Sequence, residues 1–412
     1  MSTPSVQHLP LIGSGTVIAV GALITVILLL CLGQTVGWDP TWRSLGVTPL
    51  QPHFFDMHVI TDYAACAAKG FDAYIPQSCN QDNFNIPPIW LYLGYFGING
   101  SHSTWLSTAI IAAALGVMIA LFKGRSAIDG AVALAAILSP SVMMGVERGN
   151  LDLLILALVG TAALIYQEQR IGRTLWSAAI ISLATVLKLF PLFCVAASAR
   201  FSRRTLLFVA FIAVFSLIYL ADISHYVVLI RRNVPTTFIL SYGYKAVFLG
   251  LDHLRAEAGL NAIALADTWI PIALAILILI LAAATALINF QYGRFFCVVL
   301  NSVAGTAFLF GSGIYCGTFL LGTNFIYRLM FLLLCVPQLQ DWPAVKTDDR
   351  ERKIQAGLFA TIFATLWLNG DANGHSTFLF VPQLVDWLLF FGLAAVLMSN
   401  FLKTFYRKCQ SG

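Results

Sequence analysis

The chain has 412 residues, of which 59% are hydrophobic and only 10% charged, with a formal net charge of +5; an ordinary soluble chain carries about 25% charged residues. One soluble core does not absorb that much apolar sequence. The basic residues are scattered through loops instead of forming a stripe, so nucleic acid is not an expected partner. Apolar runs of the roughly 20 residues that a crossing needs recur from end to end. They are continuous and rich in Leu, Ala and Ile, not alternating, which predicts an all-α polytopic membrane protein and not a β-barrel.

The first run, 11–32, has no Lys or Arg before it and no convincing small-residue cleavage site, so it reads as a retained helix and not as a signal peptide. Further crossings are expected at 103–122, 127–145, 152–167, 205–221, 270–289, 295–312, 325–339, 354–368 and 377–400, about ten in all. No sustained repeat divides them, and 1–412 reads as a single transmembrane domain. Residues 174–199 lie between Arg170/Arg173 and Arg200/Arg203/Arg204, two basic groups drawn to the same side. The segment therefore enters and returns. Pro191 in Leu189-Phe190-Pro191 supplies the break, giving a short helical hairpin with Lys188 near its tip and about 11–13 helices overall.

Fifteen of the 24 Lys and Arg then fall in one set of short loops, including Lys123, Arg125, Arg170, Arg173, Arg200, Arg203, Arg204, Arg294, Lys346 and Lys403. The positive-inside rule makes that set cytoplasmic, with both termini inside. The opposite face receives the long loops 33–102 and 222–269, with interfacial helices, and shorter ones near 146–151, 313–325 and 369–376. Thirteen of the 19 acidic residues sit on or just inside that face, as do Arg148, Lys188, Arg231, Arg232 and Arg328. A transporter would place such groups at mid-bilayer, where this chain is nearly free of charge.

In the first long loop a helix over 54–69 sets Asp56, Ile60, Tyr63 and Ala67 on one face, with Asp56 in its first turn. That position also suits an acid that simply answers the helix dipole. Phe84-Asn85-Ile86-Pro87-Pro88-Ile89-Trp90 predicts an extended approach and then a helix over 88–99, too short to span, with Trp90 and Tyr92 as interfacial aromatics. Cys66 and Cys79 share this loop and can pair if the compartment is oxidising. The eight cysteines include no C-x-x-C pair, so no thiolate metal site is expected.

Glu147-Arg148-Gly149-Asn150-Leu151-Asp152 ends one crossing and starts the next. Arg148 there suits a phosphate or a sugar, or alternatively an ion pair with Glu147 or Asp152. Lys188 is isolated and either snorkels or meets an anion. Gly322-Thr323-Asn324-Phe325-Ile326-Tyr327-Arg328 sets Arg328 just inside a helix mouth, where a lone charge is costly. There is no G-x-x-x-x-G-K-[ST], H-E-x-x-H or G-x-S-x-G motif, nor a D-x-D triplet to hold a metal against a nucleotide sugar.

Taken in order, Asp56, Ala65 to Gly70 with Tyr74, Phe84 to Trp90, Glu147 to Asp152, Lys188 to Pro191 and Asn324 to Arg328 resemble the GT-C integral-membrane glycosyltransferases, specifically glycosyltransferase family 87. The resemblance covers most of 54–330. It implies transfer of a hexose, commonly mannose, from a polyprenyl-phosphate donor to a lipid or glycan acceptor at the non-cytoplasmic leaflet of the cell membrane, a bacterial inner membrane by family analogy. It further implies an inverting reaction without metal or other cofactor, with the first-loop aspartate, Asp56, as general base. Lys188, Arg148 and Arg328 are then candidates for the donor phosphate. Glu147, Asn150, Asp152, Asn324, Tyr327 and Tyr63 are candidates for substrate. Ile86 stands where the family often has an aromatic, so the sugar is not carried over. A lipid-linked oligosaccharide polymerase or ligase, and in another class a lipid or solute transporter, are the competing readings.

Overall fold

The computed structural model describes residues 13–75, 79, 84–167, 169–200, 202–260, 264–291, 302–341, 349–370 and 380–411. Arg294, Lys346, the start of the crossing expected at 295–312 and the loop residues 371–376 lie outside the described residues.

Among the described residues the protein is all-α apart from one short strand pair. The helices are α1 (Ser14–Thr35), α2 (Trp38–Ser44), α3 (Phe55–Ala67), α4 (Ser103–Leu121), α5 (Ala127–Ile137), α6 (Pro140–Glu147), α7 (Asp152–Ile165) and α8 (Ile171–Leu187). They continue with α9 (Arg203–Asp222), α10 (Ser224–Asn233), α11 (Ala246–Glu257), α12 (Ile270–Gln291), α13 (Val303–Phe319), α14 (Val336–Asp341), α15 (Asp349–Leu368) and α16 (Phe380–Ser411). Tighter 3₁₀ segments run over Pro88–Phe96, Phe190–Arg200 and Ile326–Cys335. Strands β1 (Ser241–Tyr242) and β2 (Asn324–Phe325) pair antiparallel, Ser241 opposite Phe325 and Tyr242 opposite Asn324.

Among the described residues five helical stretches are long and apolar enough to cross a membrane: Ser14–Thr35, Gly100–Leu121, Arg203–Asp222, Ile270–Gln291 and Phe380–Tyr406. Several long apolar helices of this kind suit a multi-pass membrane protein. Their outer faces are bare hydrocarbon, as at Leu23, Ile27 and Leu30 of α1 and Ile276 and Ile280 of α12.

Three of the expected crossings differ in form. The run at 127–145 is not one straight helix but α5 and α6, bent by 61°. Pro140 is the cause: it disfavours helical backbone at Ser139, which adopts φ −63° and ψ 147°. The run at 325–339 opens as a strand and a 3₁₀ segment before α14, because Asn324 and Phe325 are engaged by β1. The run at 295–312 appears as α13, which carries on to Phe319. The hairpin segment is lopsided, a 17-residue α8 followed by the 3₁₀ turns of 190–200, with Lys188 and Leu189 at the break.

α13 is the axis of the bundle, buried along almost its whole length. It packs against both 3₁₀ segments, 190–200 and 326–335, and against α7 and α16. Gly313 permits this approach, since a Cβ there would press on the Phe193 carbonyl and the Ala196 methyl. Close backbone contact through small residues is the means by which helices associate when lipid is as apolar as their side chains.

Candidate active site

The turn between α6 and α7 is the foundation of the site. α6 ends in a Schellman cap: Asn150 N–H donates to the Gly145 carbonyl at 2.9 Å and Gly149 N–H to the Val146 carbonyl at 3.1 Å, with Gly149 at φ +58°. A side chain at 149 would be strained by that φ and would also collide with Ser107 and Phe54. The same turn docks α3. Phe54 N–H donates to the Glu147 carbonyl at 3.3 Å and Asp56 N–H to the Arg148 carbonyl at 3.1 Å, so the unpaired amides at the start of α3 are satisfied by the end of α6. Phe54 takes φ 58° to make the corner, a conformation bulky side chains seldom adopt.

Asn150 is the hub. Its amide oxygen accepts from Asp152 N–H at 2.8 Å and from Lys188 Nζ at 3.4 Å, while its amide nitrogen donates to Asp56 Oδ2. Among the described residues no donor is bonded to the other carboxylate oxygen of Asp56, Oδ1. Burial pushes the Asp56 carboxyl above its ordinary value, and Arg148, the Asn150 hydrogen bond and Lys188 oppose that shift without cancelling it.

Asp152 is fully buried at the start of α7 and holds two cations. It forms an ion pair with Lys188 Nζ and another with Arg328 Nε at 3.3 Å. Arg328 also donates to Asn324 Oδ1 and lies 4.6 Å over the Phe190 ring. Trp90, expected as an interfacial aromatic, instead donates from Nε1 to the Leu187 carbonyl at 3.0 Å, fixing the residue before Lys188. Tyr92 is the one of the two that stays exposed.

Arg148 is placed differently. It is 8% exposed and its guanidinium lies over Phe325 at 5.6 Å and Tyr327 at 5.9 Å. Among the described residues neither Glu147 nor Asp152 pairs with it, and its Nε has no hydrogen-bond partner. Glu147 is turned away, its Oε1 accepting from Leu50 N–H at 3.1 Å, where it secures the first loop.

The structure thus brings Asp56, Arg148, Asn150, Asp152, Lys188, Asn324, Tyr327 and Arg328 together. Tyr63 sits apart, fully buried with its ring 5.3 Å from Phe84. Cys66 and Cys79 form a disulfide, with Cα atoms 5.9 Å apart, that closes the end of α3. Residues the motifs do not name complete the arrangement: β1 reaches the site from the second long loop, and Tyr242 Oη shares a hydrogen bond with Thr318 Oγ1 at 2.8 Å. Asn324 Nδ2 in turn donates to the Thr318 carbonyl at 2.6 Å.

The class these features define is an all-α protein with several helices fit to cross a membrane and a buried acid–base cluster where four segments meet. No protein-family model matches the chain, and no curated protein matches it.

Proposed function

We propose that this protein is a glycosyltransferase that moves a hexose, mannose foremost, from a polyprenyl-phosphate donor to a lipid or glycan acceptor, with inversion, at the non-cytoplasmic face of the cell membrane. One observation carries the reading: a half-buried carboxylate, Asp56, stands beside a buried guanidinium, Arg148, that forms no ion pair among the described residues.

In a single displacement the acceptor oxygen bonds to the anomeric carbon as the bond to the phosphate oxygen breaks. The acceptor proton passes to Asp56 Oδ1 and the phosphate leaves with the electron pair. A positioned carboxylate is the expected base for the first transfer, and fixed cations answer the charge that develops in the second. Arg148 is the primary phosphate partner. Lys188 and Arg328 share one carboxylate, Asp152, and keep a net positive charge beside it. Asn150 and Asn324 orient these groups more than they reach for sugar. The disulfide in the same loop as Asp56 belongs to an oxidising compartment, which supports the non-cytoplasmic assignment. Cytoplasmic termini and about ten crossings complete this reading.

The test supplies purified protein in liposomes with polyprenyl-phosphate mannose and a lipid extract. Asp56→Asn is isosteric and should lower transfer by about 100-fold or more while the fold is kept. Wild-type turnover in that variant would remove Asp56 from its role. Activity confined to a pyrophosphate-linked glycan chain would favour a polymerase or ligase.

A further inference from the structure

The three cations of the site all lie over aromatic rings. Arg148 Cζ is 5.6 Å from the Phe325 centroid and 5.9 Å from that of Tyr327. Lys188 Nζ is 5.9 Å from the same Tyr327 ring, and Arg328 Cζ is 4.6 Å from the ring of Phe190. Each distance falls within the roughly 6 Å over which a ring face attracts a cation. Tyr327 is the ring that meets two of them, and they come from different elements: Arg148 from the turn between α6 and α7, Lys188 from the break after α8. No local backbone sets the distance between those two cations. A shared ring does.

The ring is itself held from three sides. Tyr327 is buried in the first turn of the 3₁₀ segment 326–335, directly after β2, and Ile326 N–H donates to the Leu240 carbonyl at 3.0 Å beside the strand pair. Phe325 stacks on it with centroids 5.5 Å apart and planes 19° from parallel. On α6, Gly145 leaves it room, since a Cβ there would touch Tyr327 Cβ and crowd the Met330 methyl. A carboxylate and a ring hold a cation by different means. Asp152 answers the charge of Lys188 and Arg328 by ion pairing, whereas a ring face attracts through its quadrupole and carries no net charge of its own. A cation seated on a ring can still act on a third, anionic group.

We propose that Tyr327 is a positioning residue whose ring sets Arg148 and Lys188 in register with each other, so that the two cations close on one phosphate of a polyprenyl-phosphate ligand. The ring face carries this role, and the phenol hydroxyl does not. The inference deepens the transfer reading and rests on it for the identity of the ligand.

The experiment is native mass spectrometry of the full-length protein in detergent, titrated with polyprenyl phosphate or with the uncharged polyprenol, alongside transfer kinetics in liposomes. The ratio of the two affinities is the readout, because loss of folded protein alone does not move it. Wild type should retain the phosphate at about one tenth of the polyprenol concentration. Tyr327→Phe should keep that ratio within about twofold, while Tyr327→Leu should lower it about tenfold and raise donor KM more than it lowers kcat. Phenylalanine carrying one, two or three ring fluorines, introduced at position 327, keeps the shape of the ring and weakens its quadrupole, so the ratio should fall step by step. These analogues carry the test even where Tyr327→Leu fails to fold. A ratio unmoved by fluorination overturns the inference and leaves the transfer reading standing, and so does a Tyr327→Phe variant as weak as Tyr327→Leu. A graded loss of phosphate retention, in a protein that moves sugar from no polyprenyl-phosphate donor, keeps the inference and removes the transfer reading. Equal retention of phosphate and polyprenol by wild type removes the phosphate clamp and the inference with it.

Discussion

The two ends of α7 hold their cations by different means. At the Asp152 end three acids, Asp56, Glu147 and Asp152, are interleaved with Arg148, Lys188 and Arg328, and most charges are already answered by side chains. At the Tyr166 end Arg200 donates to Thr306 Oγ1 and lies over the Tyr166 ring, while Arg170 is exposed. A cluster that neutralises itself can be held rigid inside a bundle, leaving one or two groups exposed for chemistry. The comparison predicts how each end fails.

The largest effect falls on Asp152. Its replacement by Asn leaves Lys188 and Arg328 buried without their shared carboxylate, and a broken buried pair costs about 3–5 kcal/mol. The variant should unfold at markedly lower temperature or denaturant, followed by intrinsic tryptophan fluorescence, and should lose transfer with it. Unchanged stability would mean that the two cations find other partners, and the self-neutralising picture of this end would fail.

Arg148→Met comes next. Because the guanidinium forms no direct ion pair among the described residues, stability should change far less than with Asp152→Asn, while transfer should fall about 100-fold or more through loss of charge at the leaving phosphate. It has a second signature. Burial raises the Asp56 carboxyl and Arg148 is the largest influence holding it down, so the acid limb of kcat/KM should lie above the ordinary carboxylate range in wild type. It should lie higher still in Arg148→Met. The sign for stability follows: a carboxyl raised from 3.8 favours the fold below that value, where it is protonated in both states, and that contribution is lost as pH rises through the folded pKa. An acid limb that stays put on removing Arg148 would break the link between the two residues.

Asn150→Asp sharpens the same point with a smaller change in shape. It removes the donor to Asp56 Oδ2 and sets a second carboxylate there, so both losses raise Asp56. The acid limb should move upward with melting temperature little affected, a result that separates positioning of the base from support of the fold.

Much of this end could be read from local sequence. The helix start at Phe54-Phe55-Asp56, the glycine cap at Gly149 and the proline break after Lys188 are short-range signals, and the structure places all three side by side. Pairing was harder. Beside Arg148 in sequence stand Glu147 and Asp152, the natural partners for an ion pair, yet Asp152 is taken by Lys188 and Arg328 from far along the chain. The two-residue pairing of β1 with β2 carries no periodicity of its own and depends on tertiary closure. The bend at Pro140 was marked by the proline, but a continuous apolar run on both sides hid it.

The smallest effect belongs to Trp90, and it tests how the base and the cations are kept in register. Its indole N–H satisfies the Leu187 carbonyl, one of the last of α8, immediately before Lys188. Trp90→Phe keeps most of the apolar contact and removes only that donor, so the cost should be about 1 kcal/mol, the usual net worth of one hydrogen bond. Since the freed carbonyl adjoins Lys188, the loss should show in donor KM more than in kcat, through a lysine less well held against Asp152 and Asn150. A fall in kcat with donor KM unchanged would place Trp90 among groups that act on the reacting atoms. Identical kinetics with a lowered melting temperature would confine it to packing the first loop onto the break after α8.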